Sequence, residues 1–263
     1  MSECVLAATV AGVAQIALNR PAKRNALDRA TIAALSALLQ RCADDPGVRV
    51  VQITGTGEVF CAGADLGEMQ AQAQAAEADN LRDAEQLAAM LSILDSLPKP
   101  TLARVNGDGY GGALGIIAAC DIVVASDAAK FAFTEVRLGI IPAVISPFVL
   151  GKIGEGAARR YFLTAETLTA ADLKELGLVH EVVPASLLDA ACDRITQALQ
   201  KGAPGAQAEA KALIRDFAQA AAPNRAAASR QAAARLARLR VQPEAQEGFS
   251  AFFSKRKASW RQD

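Results

Sequence analysis

The stretch Asn106 to Gly115, NGDGYGGALG, joins a strand-like run to an apolar helix-like run and contains G-x-G-x-x-G. Glycines at such a junction let a ligand approach the unpaired N–H groups of a helix N-terminus, where aligned peptide dipoles favour negative charge. Two kinds of anion fit. One is a dinucleotide phosphate: a strand precedes Gly107, a helix follows Gly112, and Asp127 lies about 20 residues on, where a ribose-binding acid belongs. The other is an oxyanion forming on a substrate carbonyl, with a second N–H supplied by another tight turn across a cleft; Cys61 to Asp65, CAGAD, offers such a turn. Against the dinucleotide, the motif lies mid-chain, the helix between the two strands is very short, and no second mononucleotide-binding half follows.

The remaining inventory narrows the chemistry. His180 is the only histidine, which excludes a Ser/His/Asp or Cys/His nucleophile and a multi-histidine metal site. Its setting, LGLVHEVVP, alternates like a strand and predicts a structural role. The five cysteines, Cys4, Cys42, Cys61, Cys120 and Cys192, are odd in number and never in C-x-x-C spacing, so neither a disulfide framework nor a metal site is expected. Acid-base chemistry must then come from carboxylates, lysines, cysteines or tyrosines. Lys+Arg and Asp+Glu both total 28, so no global field draws nucleic acid or an anionic membrane. The N-terminal MSECVLAATV lacks a basic region ahead of an apolar run, and the longest apolar run, near Ala113 to Cys120, is far short of a membrane span. A soluble cytoplasmic protein with no nucleic-acid or membrane partner is expected.

These stretches need elements to position them. Val5 to Val10 and Val13 to Leu18 read as strands around a Gly12 turn, and LNRPAKRNALD then breaks the pattern. Asp28 can cap a helix carrying Ile32, Leu35, Leu38 and Leu39. A strand at Val48 to Thr54 runs into the CAGAD loop, and the alanine- and glutamine-rich residues 70 to 80 predict a mobile segment or frayed helix over a site. A helix with Leu87, Met90, Leu91 and Leu94 ends at Pro98, and a strand at Leu102 to Val105 delivers the chain into the glycine loop. Beyond a strand at Ile122 to Ala125, the signal from about Ser186 is helical, with a break near residue 202.

FCAGADLGEM, NGDGYGGALGIIAACDIVVAS and AKFAFTEVRLGIIPAVISPFVLGKIG resemble, in order and spacing, the enoyl-CoA hydratase/isomerase (crotonase) superfamily. LNRPAKRNALD and GFSAFFSKRKASW match as well, so the resemblance spans nearly the whole chain. It implies an α/β fold, a spiral of ββα units over residues 1–200 that carries the acyl-CoA site, followed by a helical oligomerisation region over 201–263. Trimers, often paired into hexamers, are the implied assembly. The substrate is a CoA thioester, and no further cofactor is implied. The N–H groups of Ala64 and Gly112 fall on the family's two oxyanion-hole positions, with Ala62, Asp65, Leu66 and Gly111 beside them. Ala26 falls where the family's backbone meets CoA, and Lys23, Arg24 and Lys257 are placed as phosphate partners.

The resemblance further implies Glu135 of FTEVRLG as catalytic acid/base. The family's usual hydratase has a second glutamate three residues after the second oxyanion-hole glycine, and here that position is Gly115. Two chemistries follow: hydration by Glu135 alone, with the room at Gly115 admitting a branched or carboxylated acyl chain, or an enoyl-CoA isomerase in which Glu135 shuttles a proton. GGALG followed by EVRLGIIPAVISPFV looks most like bacterial methylglutaconyl-CoA hydratases of leucine breakdown and relatives acting on isohexenylglutaconyl-CoA. Arg137 would project to the side of Glu135 if that segment is extended and could meet a distal carboxylate; a surface or subunit-interface ion pair is the alternative use. Glu68 is a stand-in for the missing acid or a loop anchor, and Tyr110 a substrate hydroxyl or a packing residue. A catalytically silent acyl-CoA-binding protein is the non-enzyme alternative. Arg225, Arg230, Arg235, Arg238 and Arg240 are too irregularly spaced to suggest an RNA face.

Overall fold

The N-terminal alternation becomes a hairpin in the computed structural model, which describes residues 3–219 and 225–261, without the side chains of 219 and 225–231. β1 (Val5–Val10) and β2 (Val13–Leu18) pair antiparallel around Ala11 and Gly12, both at positive φ as a tight hairpin turn requires. A six-stranded sheet then grows in the order β1-β2-β3-β4-β6-β9 and is parallel from β2 onward, using β3 (Val50–Gly55), β4 (Thr101–Val105), β6 (Ile122–Ser126) and β9 (Glu181–Val183). A second sheet holds β5 (Gly109–Tyr110), β7 (Lys130–Ala132) and β8 (Leu168–Thr169).

One unit recurs. A strand of the large sheet leads to a short strand of the small one and then to a helix: β4, β5 and α4 (Gly112–Ala119), then β6, β7 and α5 (Ser146–Thr164). An earlier turn of the same spiral runs from β3 through Cys61, bridged to Gly109, into α2 (Leu66–Gln72) and α3 (Glu77–Ser96). This is the ββα repetition expected from the motifs, and it rules out a doubly wound dinucleotide sheet, because the glycine loop passes from one sheet to the other.

α1 (Arg29–Asp44) is capped by Asp28, which accepts the Thr31 N–H at 2.8 Å, and it buries Leu35, Leu39 and Cys42. α4 is apolar on every side, and all its residues after Gly112 are buried. Such a helix belongs at the centre of a core, where it packs between α3 and α5. α6 (Ala170–Glu175) and α7 (Leu188–Gln200) complete the core, and α8 (Pro204–Gln219), α9 (Arg225–Arg240) and α10 (Pro243–Phe253) follow, with the break near residue 202 where glycine and proline placed it. Residues 70 to 80 are helical with one interruption. They form the end of α2, a short break and the start of α3, stitched by Asn80 Nδ2 donating to the Gln72 carbonyl at 3.0 Å. Among the described residues no helix is long and apolar enough to cross a membrane.

Candidate active site

Three backbone ribbons converge at one end of the spiral. The first turn, Arg24 to Leu27, runs beside CAGAD: Ala62 N–H donates to the Arg24 carbonyl at 2.9 Å, Leu27 N–H to Gly63 at 2.7 Å, and Asp65 N–H to Leu27 at 2.9 Å. CAGAD in turn meets the glycine loop, where Tyr110 N–H donates to the Cys61 carbonyl at 3.1 Å. The glycine loop meets β7 through Gly111 N–H and the Ala132 carbonyl, also at 3.1 Å. Parallel pairing of β5 with β7 thus sets Gly111 and Gly112 against the chain that enters Glu135.

Two glycines are fixed by this packing. Gly63 has φ 87°, and a Cβ there would lie 2.7 Å from the Tyr110 carbonyl oxygen and 3.8 Å from Gly112 N, so the two turns touch backbone to backbone. Gly111 has φ 50°, and its Cβ would stand 3.1 Å from Glu135 Oε1. Among the described residues, neither the Ala64 nor the Gly112 N–H has a hydrogen-bond partner. Both residues line one cavity of about 420 Å³ together with Glu135. Glu135 opens a short 3-10 turn that ends at Gly139, φ 75°. Its Oε2 is buried without a partner, and burial pushes the carboxyl above the usual glutamate range. Unspent donors and a raised carboxyl sharing a cavity can stabilise developing negative charge and move a proton beside it.

The other expected residues divide. Asp65 is buried, accepting from Arg20 Nη2 at 2.8 Å and Gly67 N–H at 2.8 Å; the Arg20 hydrogen bond holds its carboxyl below the usual range. It caps α2 and anchors the turn, while Leu66 beside it is 81% exposed. Ala26 is buried, and its carbonyl accepts from Arg20 Nη1 at 2.6 Å. Lys23 and Arg24 are exposed and do not line this cavity. Arg24 lies 3.5 Å from Asp108 and over the Tyr110 ring, and Tyr110 Oη donates to Asp108 at 3.0 Å, so this hydroxyl is used for packing the loop. Glu68 lines the cavity but sits 3.7 Å from Arg29. His180 is structural, its Nδ1 accepting the Val123 N–H at 3.1 Å.

Two expectations need correction, and a third residue lies away from the cavity. The space at Gly115 is not open to a ligand: a Cβ there would lie 2.4 Å from Ile145 Cγ2 and 3.1 Å from Leu91 Cδ1, because Ile145 fills it. Arg137 does not project beside Glu135, since the segment is a 3-10 turn and not extended; its Nη2 donates to the Ala165 carbonyl at the end of α5, at 2.6 Å. Lys257 is not brought to the cavity of its own chain. It follows α10, three residues before Trp260, whose carbonyl accepts from Arg49 at the start of β3, whereas CAGAD follows that strand's other end.

Sequence reasoning missed the polar wall. Arg29 bonds Asp83 at 2.8 Å, and Asn80 and Gln72 line the same side. Its partners lie in another helix, and no local spacing signals them. Among the described residues no cluster of histidine, cysteine, aspartate or glutamate could hold a metal ion.

A family model described as enoyl-CoA hydratase/isomerase matches residues 8–263. Among similar solved structures, an enoyl-CoA hydratase from Shewanella pealeana ATCC 700345 superposes with a TM-score of 0.94 at 38% identity, covering 98% of this chain and 96% of its own. The 2,3-dehydroadipyl-CoA hydratase of Escherichia coli is 34% identical over 242 residues, 92% of each chain. The mevalonyl-coenzyme A hydratase of Aspergillus fumigatus is 34% identical over 260 residues, 98% of this chain and 94% of that one. With its spiral of ββα units and a cavity built from those turns, the chain belongs to the enoyl-CoA hydratase/isomerase family and has the crotonase fold.

Proposed function

We propose that the protein adds water across C2–C3 of a branched 2-enoyl-CoA, with 3-methylglutaconyl-CoA as the reference substrate. The observation that carries the hydratase reading is the unpartnered Oε2 of Glu135 in the cavity shared with the unpartnered N–H groups of Ala64 and Gly112. In this reading Glu135 takes a proton from water as the water oxygen bonds to C3. The π electrons move through C2 to the thioester oxygen, where the Ala64 and Gly112 N–H groups stabilise the enolate. Glu135 then returns the proton to C2, and because one carboxylate serves both steps the addition is syn. Lys23 and Arg24, exposed beside the first ribbon, would meet the CoA phosphates, and CoA enters the scheme as part of the substrate, with no separate cofactor needed.

The acyl assignment rests on the motif resemblance and on the carboxylated acyl chain in the name of the Escherichia coli relative. One observation favours a second reading, an uncharged branched tail. The carboxylates of Asp28, Glu68, Asp83 and Glu135 line the cavity against, among the described residues, the one guanidinium of Arg29, and Asp83 already holds that guanidinium. A distal carboxylate would have to displace one of them. The exposed Phe252 and Phe253 of α10, 75% and 77% accessible, support a trimer or hexamer, which light scattering would test.

The test is loss of enoyl-thioester absorbance with 3-methylglutaconyl-CoA, 3-methylcrotonyl-CoA and crotonyl-CoA side by side, with Glu135→Gln as the blank. A preference of about tenfold in kcat/KM for the diacid, ~1.4 kcal/mol, supports the first acyl reading, and the same preference for 3-methylcrotonyl-CoA supports the second. Conversion of a 3-enoyl-CoA without any hydration would make the enzyme an isomerase. CoA binding with no turnover of any thioester would leave a silent binding protein.

A further inference from the structure

Gly115 and Ile145 fit as hollow and plug. Gly115 is buried in α4, one turn beyond Gly112, and the missing side chain leaves a hollow also bounded by Leu91. Ile145 enters this hollow from the segment after Glu135 and is only 2% exposed, yet it still forms part of the cavity wall. It cannot withdraw easily. Ser146 Oγ donates to the Pro142 carbonyl at 2.6 Å and Ser146 N–H to Ala143 at 3.2 Å, while the Ile145 carbonyl accepts from Phe148 and Val149 at 3.1 and 3.0 Å. A β-branched side chain on so constrained a turn has few rotamers left.

We propose that Ile145, seated in the hollow of Gly115, is the specificity-determining residue of the acyl wall and sets how wide an acyl chain lies beside Glu135. The proposal rests on the 2-enoyl-CoA reading of the site. It also assigns Gly115 a purpose: any side chain there collides with Ile145 at its first carbon, so the wall at this point is apolar and carries no second acid. Width is therefore set by a residue 30 positions from the glycine that makes room for it.

Binding of saturated thioesters, which cannot be hydrated, tests this without relying on turnover. Butyryl-CoA and 3,3-dimethylbutyryl-CoA are titrated calorimetrically into wild type, Ile145→Ala, Gly115→Ala and the double variant, and the melting temperature of each is recorded. Ile145→Ala is expected to shift the affinity ratio towards the wider chain by about tenfold or more, the scale of a few methyl groups in an apolar pocket. Gly115→Ala is expected to lower the melting temperature, and the double variant to recover most of that loss. An unchanged affinity ratio in Ile145→Ala overturns the proposal, as does a double variant whose melting loss is the sum of the two single losses. Should Gly115→Ala fail to fold, the ratio in Ile145→Ala and Ile145→Val decides alone. Failure of the hydratase reading shows in the absorbance assay, and failure of the Ile145 assignment in the binding ratio.

Discussion

The two walls of the cavity are built on opposite principles. On one side, Ala64 and Gly112 present main chain, backed by Gly63 and Gly111 and held by ribbon-to-ribbon hydrogen bonds, and their side chains contribute almost nothing. On the other, Pro142, Val144 and Ile145 present apolar side chains on a tightly turned segment. Glu135 stands at the junction, its carboxylate close beside Gly111, and leads into the second wall. Charge stabilisation depends on N–H positions that do not change with side-chain identity, whereas acyl fit depends on side-chain volume. The chemistry can thus be kept while the substrate changes.

Breaking the junction should have the largest effect. Glu135→Gln is expected to lower kcat by 10²–10⁴-fold, the range for a lost acid/base, while CoA affinity is retained. Burial raises the Glu135 pKa in the fold, so the fold disfavours the ionised carboxylate relative to the unfolded chain. The Glu135 contribution to stability is present at low pH and lost as pH rises through the folded pKa. Glu135→Gln should therefore melt no lower than wild type at pH 8, and a clear drop would contradict the raised carboxyl. In wild type, kcat/KM should fall as pH drops through a value above the ordinary glutamate pKa of ~4.3. An acid limb at or below that value would count against the buried base.

Next in size is Gly111→Ala. A methyl at φ 50° and 3.1 Å from Glu135 Oε1 strains the turn and displaces the carboxylate, so we expect a loss of 1–3 kcal/mol in stability, roughly the cost of a forced conformation, and a fall in kcat. Thermal melts with single-turnover rates check both. Arg137→Ala tests the side-chain wall from outside. It removes one hydrogen bond to the Ala165 carbonyl and should cost ~1 kcal/mol, leaving the ratio of diacid to neutral thioester turnover unchanged. A selective loss on the diacid would restore the cation to the acyl site. Smallest is Gly112→Ala, whose methyl would meet only Leu27 Cδ1 at an ordinary 3.5 Å. A melting temperature close to that of wild type is expected, since no protein atom opposes the methyl. A collapse like that of Gly111→Ala would mean the main-chain wall tolerates no change at all.

What could be read from the chain follows the same division. The main-chain wall was legible because backbone demands leave a residue signature: tight turns and close approaches require glycine, and Asp28 is a local cap. The side-chain wall was not. Gly115 reads as empty space in a linear sequence, and only the fold brings Ile145 into it. Arg137 was misplaced because an extended segment and a 3-10 turn have the same residues but send position i+2 in different directions. Arg29 and Asp83 are brought together by the crossing of α1 and α3, a long-range event with no local pattern.

The placement of Cys61 has a chemical consequence for a site of this kind. Activated 2-enoyl thioesters are Michael acceptors, and a thiolate three residues from Ala64 would be positioned to be alkylated at C3. Cys61 is fully buried, and burial pushes its thiol up to about 12, so essentially no nucleophilic sulfur is present at neutral pH. The spiral that brings CAGAD to the cavity turns this sulfur into the core, which would keep it from alkylation by the proposed substrate.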